Sequence, residues 1–262
     1  MFPVSGLIKH NQWTAPAFDK LVATFSMNTT GLNLLISDKP DVERNAVARA
    51  FEASGGVVHR IARFWDPPRF KPSSVRVYGA DSFCLVLQQK LGFALCSPAN
   101  ELILSVPSQF LNRHTEHRTL AEVPTLTFPL FIKPFTPKQF RGAVYEASEA
   151  VATECRGLPA DTPVFVSEPV TFTAEVRTFV LDGIVLDAGV YEGTSEVNGA
   201  VEFVRALTEL MPLPRTLVVD VGFIGGRGWA VIEFNAAWGA GLNGCDAEKV
   251  LPAIVSATGA PE

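Results

Sequence analysis

The 262-residue chain lacks most of the features that fix a protein's chemistry on their own. It has only four cysteines, Cys84, Cys96, Cys155 and Cys245, placed singly. That pattern has neither the close pairs of a zinc site nor the density of a disulfide framework, and it predicts buried, reduced thiols. The four histidines, His10, His59, His114 and His117, have no metal-ligand spacing and are expected at the surface. No stretch is long and apolar enough to span a bilayer, and the opening "MFPVSGLIKHNQWTAP" has no signal-peptide core, so the expected location is cytoplasmic. Positive charge is not in excess: the net charge is -5, which gives no electrostatic reason to bind bulk nucleic acid or an anionic membrane. The absence of G-x-x-x-x-G-K-[ST] disfavours a P-loop NTPase, and the absence of G-x-S-x-G removes support for an α/β-hydrolase. There is no internal repeat and no low-complexity tract.

What is present is apolar mass. Apolar residues make up 47% of the chain, enough to bury one large core or two smaller ones. The first half alternates patterns: "LNLLIS" reads as a strand, "DVERNAVARAFEASGG" as a helix with a glycine stop, and "GVVHRIARFW" as a second strand. A proline-rich loop follows, then "VRVYG" and "ADSFCLVLQQKLG" as another strand and helix. Repeated βα units predict a parallel sheet. "FLNRHTEHRTLAEVP" reads as a polar, helix-like connector, and beyond it the texture changes.

The second half is β-rich. "TLTFPLFIKPF" carries one lysine, Lys133, and "TPKQFRGAVYEASEAVATECRG" reads as a loop with Lys138 and Arg141 running into a helix that starts near Gly142. Alternation then resumes through "TPVFVSEPVTFTAEVRTFVLDGIVLDAGVYEG", with Asp182-Gly183 placed as a hairpin turn. Glu175 and Arg177, two apart, share a strand face. In "TLVVDVGFIGGRGWAVIEFNAAWGAG" two strands flank "IGGRG", which brings Asp220 near Glu233 and Asn235. Two carboxylates and an amide gathered in one place repel and are costly to desolvate, by roughly several kcal/mol, unless cations or donors compensate. A hard divalent cation such as magnesium does that.

In this order, Lys133 in "FIKP", the hinge-like "VFVSEPV", Glu175-x-Arg177, Asp220 in "VVDVG" and Glu233-x-Asn235 before "AAWGAG" resemble the ATP-grasp superfamily. The E-x-R pair and the N-x-x-W-G-x-G ending resemble its branch named for arginines and lysine. The resemblance covers about residues 125–258. It implies an α/β fold, α+β in the second half, divided into an N-terminal α/β pre-grasp domain (1–124), a lid (125–170) and an antiparallel-sheet subdomain with the metal site (171–262). It also implies ATP and magnesium as cofactors. Lys133 would meet the α- and β-phosphates, with Lys138 a further cofactor-binding cation. Val166, Glu168 and Val170 would form the adenine hinge and Glu175 would hold the ribose. Arg177 would meet the transferring phosphoryl group as a catalytic residue alongside Lys133, and Asp220, Glu233 and Asn235 would bind the metal.

The implied chemistry is ATP-dependent carboxylate activation through an acyl phosphate, completed by an amine on an amino acid, peptide or protein. Two alternatives stay open: a phosphotransferase on the same scaffold and a noncatalytic nucleotide-binding module. The partners implied are ATP, a carboxylate and a nucleophile. For the acceptor, His114, Arg118, Tyr191 and Trp238 are candidates by position only.

Overall fold

The computed structural model describes residues 27–259; His10 and the opening segment lie outside them. The chain begins with β1 (Asn33–Ser37), α1 (Val42–Ala53), β2 (Val57–Ile61), β3 (Val75–Val77), α2 (Asp81–Leu91) and the short β4 (Ala94–Leu95). The Asp41 side chain starts α1 by accepting from the Arg44 amide at 2.7 Å, which satisfies one of the amides a helix leaves open in its first turn. β1 pairs in parallel with both β2 and β3, as the repeated βα pattern predicts. Leu34, Leu35 and Ile36 are fully buried at its centre, so this strand reads as a continuous apolar run. The strand anticipated through Trp65 stops at Ile61.

A second, antiparallel sheet is built from β5 (Thr115–Thr119), β6 (Leu130–Pro134), β7 (Ala143–Tyr145) and β8 (Pro163–Ser167), in the order β5-β8-β6-β7, with α3 (Ser148–Glu154) between β7 and β8. Two expectations are corrected here. The polar connector is not helical: its Thr115 to Thr119 stretch is β5, laid along β8 so that Glu116 faces Val166 and His117 faces Phe165. Without β5 the apolar β8 would have an open edge, and pairing outweighs the weak local helix pattern. The helix expected from Gly142 begins only at Ser148, because Ala143, Val144 and Tyr145 pair with Ile132, Phe131 and Leu130.

The third sheet positions the site. β9 (Phe172–Leu181) and β10 (Ile184–Gly193) form a hairpin, α4 (Val197–Leu210) follows, and β11 (Thr216–Ile224) and β12 (Gly228–Asn235) complete the order β10-β9-β11-β12. Asp182 and Gly183 have φ of 49° and 77°, the doubly positive turn that matches the twist of a two-residue hairpin. α5 (Ala247–Ser256) and the two-residue β13 (Thr258–Gly259), which pairs with β4, close the described chain.

The two faces of this sheet have different duties. Val176, Val180, Val219, Val221 and Val231 pack on Ala200, Val201, Val204 and Leu207 of α4. On the opposite face Phe179, Leu181 and Val218 join the core formed by α1, α2, α5 and the parallel sheet. Two residues further along the same strands, that face turns polar at Arg177 and Asp220, so the site lies where a buried core ends. Among the described residues no helix is long and apolar enough to cross a membrane. All four cysteines are free, Cys96 half-buried and the others buried. His59 departs from its expected surface position. It is half-buried, with Nε2 2.8 Å from Asn33 Oδ1 and its ring against Phe70.

One close approach fixes how the segment after β12 returns over the sheet. A Cβ added to Gly189 would overlap the Asn243 carbonyl and the Cys245 amide. Gly189→Ala is therefore expected to destabilise the fold by about 1–3 kcal/mol through overpacking, read as a lowered urea midpoint at unchanged slope.

Candidate functional site

The site is a row across the third sheet. Gly189 of β10 lies opposite Arg177 of β9, Arg177 opposite Asp220 of β11, and Asp220 opposite Glu233 of β12. Directly opposed residues share a face, so the register alone brings the basic and acidic side chains together. Glu233 reaches that face through a β-bulge. Val221 pairs with Val231 but Asp220 pairs with Glu233, leaving Ile232 without a partner. In a regular strand Glu233 would point the same way as Val231, into the α4 core. The extra residue re-aims it, and bulges commonly serve this purpose.

Asp220 is 1% exposed and is gripped by both forks of Arg177, Nε to Oδ1 at 2.8 Å and Nη2 to Oδ2 at 2.6 Å. The third guanidinium nitrogen, Nη1, donates to the Gly241 carbonyl at 3.0 Å. Burial opposes the charge on Arg177, but the bond to Asp220 overrides it and holds the guanidinium pKa above its ordinary value. Asn235 Nδ2 donates to Asp220 Oδ2 at 3.0 Å and to Glu233 Oε1 at 3.1 Å. Lys133, arriving from β6, donates to Glu233 Oε2 at 3.2 Å and lies 5.7 Å from the Phe165 ring centroid. For Glu233, burial is outweighed by Lys133, Asn235 and Arg177, and its pKa falls below the usual carboxylate range. Two carboxylates are thus balanced by two cations and one amide.

Glu175 stands beside this row. Its Oε2 accepts from the Tyr191 hydroxyl at 2.6 Å, and the Tyr191 ring centroid lies 5.8 Å from the Arg177 guanidinium. Burial raises the Glu175 pKa, the Tyr191 bond opposes this, and the neighbouring Glu192, Asp220 and Glu233 add to the rise.

The other expected residues lie apart from the row. The Val166 side chain is buried in the core of the second sheet. Glu168 donates its amide to the His114 carbonyl at 3.1 Å, and its carboxylate binds Arg227 Nη1 at 2.6 Å and the His114 amide at 2.9 Å. Val170 lines a cavity of about 370 Å³ with Pro169, Thr173, Ile224, Gly225 and Arg227; this cavity adjoins the hinge segment and includes neither Lys133 nor Glu233. Lys138 is exposed, with Nζ 2.7 Å from Asp81 Oδ2 at the start of α2. His114 and Arg118 are both paired with Glu116. Trp238 is buried and donates to Ser97 Oγ at 3.1 Å.

Two residues that the sequence does not announce belong to this neighbourhood. Arg113 Nη1 donates to the Val231 carbonyl at 2.8 Å and to the Leu111 carbonyl at 3.1 Å. Its guanidinium lies 6.0 Å from the Phe165 ring centroid and 5.7 Å from that of Phe172. Burial lowers its pKa to about 10, against the pull of Glu168. Glu43, from the first turn of α1, accepts from the amides of Leu242 and Asn243. Neither has a local motif, since each acts on backbone more than a hundred positions away.

An α/β scaffold whose two antiparallel sheets bring a lysine onto an acid-amide strand defines the class, and comparison gives the family. Residues 110–253 match an ATP-grasp domain family, the second family of the clade named for two arginines and a lysine; the chain belongs to it. No curated protein sequence matches the chain. Among solved structures, the chain is similar to a RimK domain protein ATP-grasp from Sphaerobacter thermophilus, at 16% identity and a TM-score of 0.57, covering 85% of this chain and 99% of that one. It is also similar to D-cycloserine synthetase DcsG, at 15% identity and a TM-score of 0.55, covering 86% and 99%. A third similar structure is ATP-grasp ligase PsnB complexed with precursor peptide PsnA2 and AMPPNP, at 16% identity and a TM-score of 0.52, covering 87% and 97%. These likenesses establish the ATP-grasp fold.

The raised Glu175 pKa makes a sign-definite prediction. The folded state takes up a proton there at a higher pH than the unfolded chain does, so ionised Glu175 costs stability above the folded pKa and nothing below the unfolded one. Glu175→Gln, which can still accept from Tyr191, is expected to raise the thermal midpoint at pH 8. That advantage should shrink as the pH falls and vanish near pH 3. A midpoint difference that does not change with pH would contradict the assignment.

Proposed function

We propose that this protein is an ATP- and magnesium-dependent carboxylate-amine ligase that works through an acyl phosphate on an amino acid, peptide or protein substrate. The observation that carries the reading is the meeting of Lys133, from the second sheet, with Glu233 in the Arg177, Asp220, Glu233 row of the third. In the proposed division residues 1–124 form the pre-grasp domain, 125–170 the lid and 171–262 the metal-bearing subdomain, with β5 reaching forward to complete the lid sheet.

The donor set fits a hard cation. Asn235 Nδ2 reaches both carboxylates, so three oxygen-bearing side chains converge, and a half-turn of the amide presents its oxygen to the same point. Asp220, Glu233 and Asn235 would hold magnesium, which supplies charge neutralisation and orientation at the transferring phosphoryl group. Lys133 then exchanges the Glu233 carboxylate for phosphate oxygens as a compact point charge. Arg177 keeps one hydrogen on each terminal nitrogen beyond those used on Asp220 and Gly241, and these can meet the transferring phosphoryl group or the acyl phosphate. Tyr191 occupies one oxygen of Glu175 and leaves the other for a ribose hydroxyl. Val166 to Val170, with Glu168 braced by Arg227, would hold the adenine edge through backbone groups. Lys138 on its exposed loop would trade Asp81 for phosphate. The nucleotide and precursor peptide in the PsnB complex support both the cofactor and a peptide-sized acceptor. The structure of D-cycloserine synthetase supports a small amino acid-like one.

The direct test is incubation with magnesium, ATP and pooled amino acids and peptides, followed by mass spectrometry for ADP, phosphate and a condensed product. A heavy-oxygen label in the carboxylate should appear in the released phosphate. Phosphorylated product without condensation would replace the ligase with a phosphotransferase. The assignment of Lys133 makes a narrower prediction: Lys133→Ala should weaken ATP and ADP at least about tenfold, about 1.4 kcal/mol, while adenosine binding is nearly unchanged by calorimetry. Equal losses for all three ligands would remove the lysine from the phosphates.

A further inference from the structure

The glycine-rich segment that follows Asn235 is held by a carboxylate 199 and 200 positions earlier in the chain. Glu43 Oε2 accepts from the Leu242 amide at 2.9 Å and Oε1 from the Asn243 amide at 2.8 Å. The same N-terminal unit takes two further backbone groups of this segment: the Tyr78 hydroxyl donates to the Ala240 carbonyl at 2.8 Å, and the Gly79 amide donates to the Trp238 carbonyl at 3.0 Å. The segment passes the constraint on, because the Gly241 carbonyl accepts from Arg177 Nη1. Gly241 sits between the two charged residues. A Cβ built on it would lie 2.8 Å from Glu43 Oε2 and 3.8 Å from Arg177 Nη1.

Amide bonds to an ionised carboxylate are shorter and stronger than neutral ones, and Glu43 makes a pair of them, one per oxygen, on consecutive residues. That pair fixes both position and orientation of the loop. Asn243, at φ 47°, adopts a left-handed backbone that Asn tolerates better than most side chains, and its amide is one of the two that Glu43 takes. We infer that Glu43 is a positioning residue for the ligase site. It pins the Leu242 and Asn243 amides, the pinned loop keeps the Gly241 carbonyl on Arg177, and Arg177 is thereby oriented in line with Asp220. The inference rests on the role proposed above for Arg177, and it makes the N-terminal unit part of the catalytic geometry as well as a neighbour.

The test combines hydrogen exchange with kinetics. Glu43→Gln keeps the size but places an NH₂ against a backbone N–H, so one of the two bonds is lost. In the nucleotide-free protein the Leu242 and Asn243 amides should then exchange at least about tenfold faster than in wild type. Magnesium-ATP affinity should stay within about threefold, and kcat should fall at least about tenfold, because the loss is confined to the transition state. Gly241→Ala pushes against Glu43 from the other side and should reproduce the faster exchange; should Glu43→Gln not fold, it carries the same measurement. In a Glu43→Ala background Gly241→Ala should add little, since the contact it disturbs is gone. Unchanged exchange in the variants, additive losses in the double variant, or faster exchange with normal kcat would each overturn the inference. A wild-type chain that binds no magnesium-ATP would instead overturn the function proposed above, and the exchange rates would still decide whether Glu43 pins the loop.

Discussion

The bond between Arg177 and Asp220 is the constraint around which the third sheet is organised. Both side chains are nearly withdrawn from water, 12% and 2% exposed, and a charge so placed cannot be left alone. Removing one partner of such a pair costs about 3–5 kcal/mol, because the other stays buried and uncompensated. The strand register must therefore set Arg177 opposite Asp220, and the residues around them are chosen to complete the bonding of both. Asn235 serves the second Asp220 oxygen, and the Gly241 carbonyl takes the guanidinium nitrogen that Asp220 does not. Gly189, at the end of the row, has no side chain where the returning loop must pass.

The surrounding charges show how an acidic cleft can exist before a ligand arrives. Arg177 and Lys133 balance Asp220 and Glu233, but the two pairs differ in permanence. Arg177 is bonded through two nitrogens to a buried partner. Lys133 makes a single 3.2 Å bond to a Glu233 side chain that is 43% exposed. An exposed single-point pair contributes little and reforms easily, so Lys133 is the cation free to change partners while Arg177 stays in place. The sheet thus combines a fixed ion pair with an exchangeable one. It sits where the shared face passes from Phe179 and Val218, sealed by α1 and α5, to polar residues.

The parts of this site with a period-two signature were legible in the sequence. Glu233 and Asn235, Glu175 and Arg177, and the two hairpins around Asp182-Gly183 and "IGGRG" follow from alternation and turn chemistry alone. The parallel sheet followed from repeated βα texture. The bulge at Ile232 was not legible, because an unpaired residue is a property of two strands and leaves no mark on one. For the same reason Arg177 and Asp220 could be placed on one face but not read as a bonded pair. Glu43 and Arg113 escaped because their partners are distant backbone groups, which carry no residue identity. β5 was misread because a polar strand is recognised by the β8 edge it covers. Nothing in "RHTEHRT" itself is apolar enough to set a period.

One more consequence belongs to β12, which has a neighbour on one side only. An open strand edge presents alternate carbonyls and amides to any passing chain and invites intermolecular sheet growth. Here two of the outward carbonyls are already taken. Asn112 Nδ2 donates to the Trp229 carbonyl at 2.6 Å, and Arg113 donates to that of Val231. Immediately beyond, the bulge breaks the regular repeat that a docking strand would need, and Glu233 and Asn235 follow. The strand that must remain accessible for chemistry is thereby made a poor template for self-association, so the protein can keep a functional edge open without exposing one that aggregates.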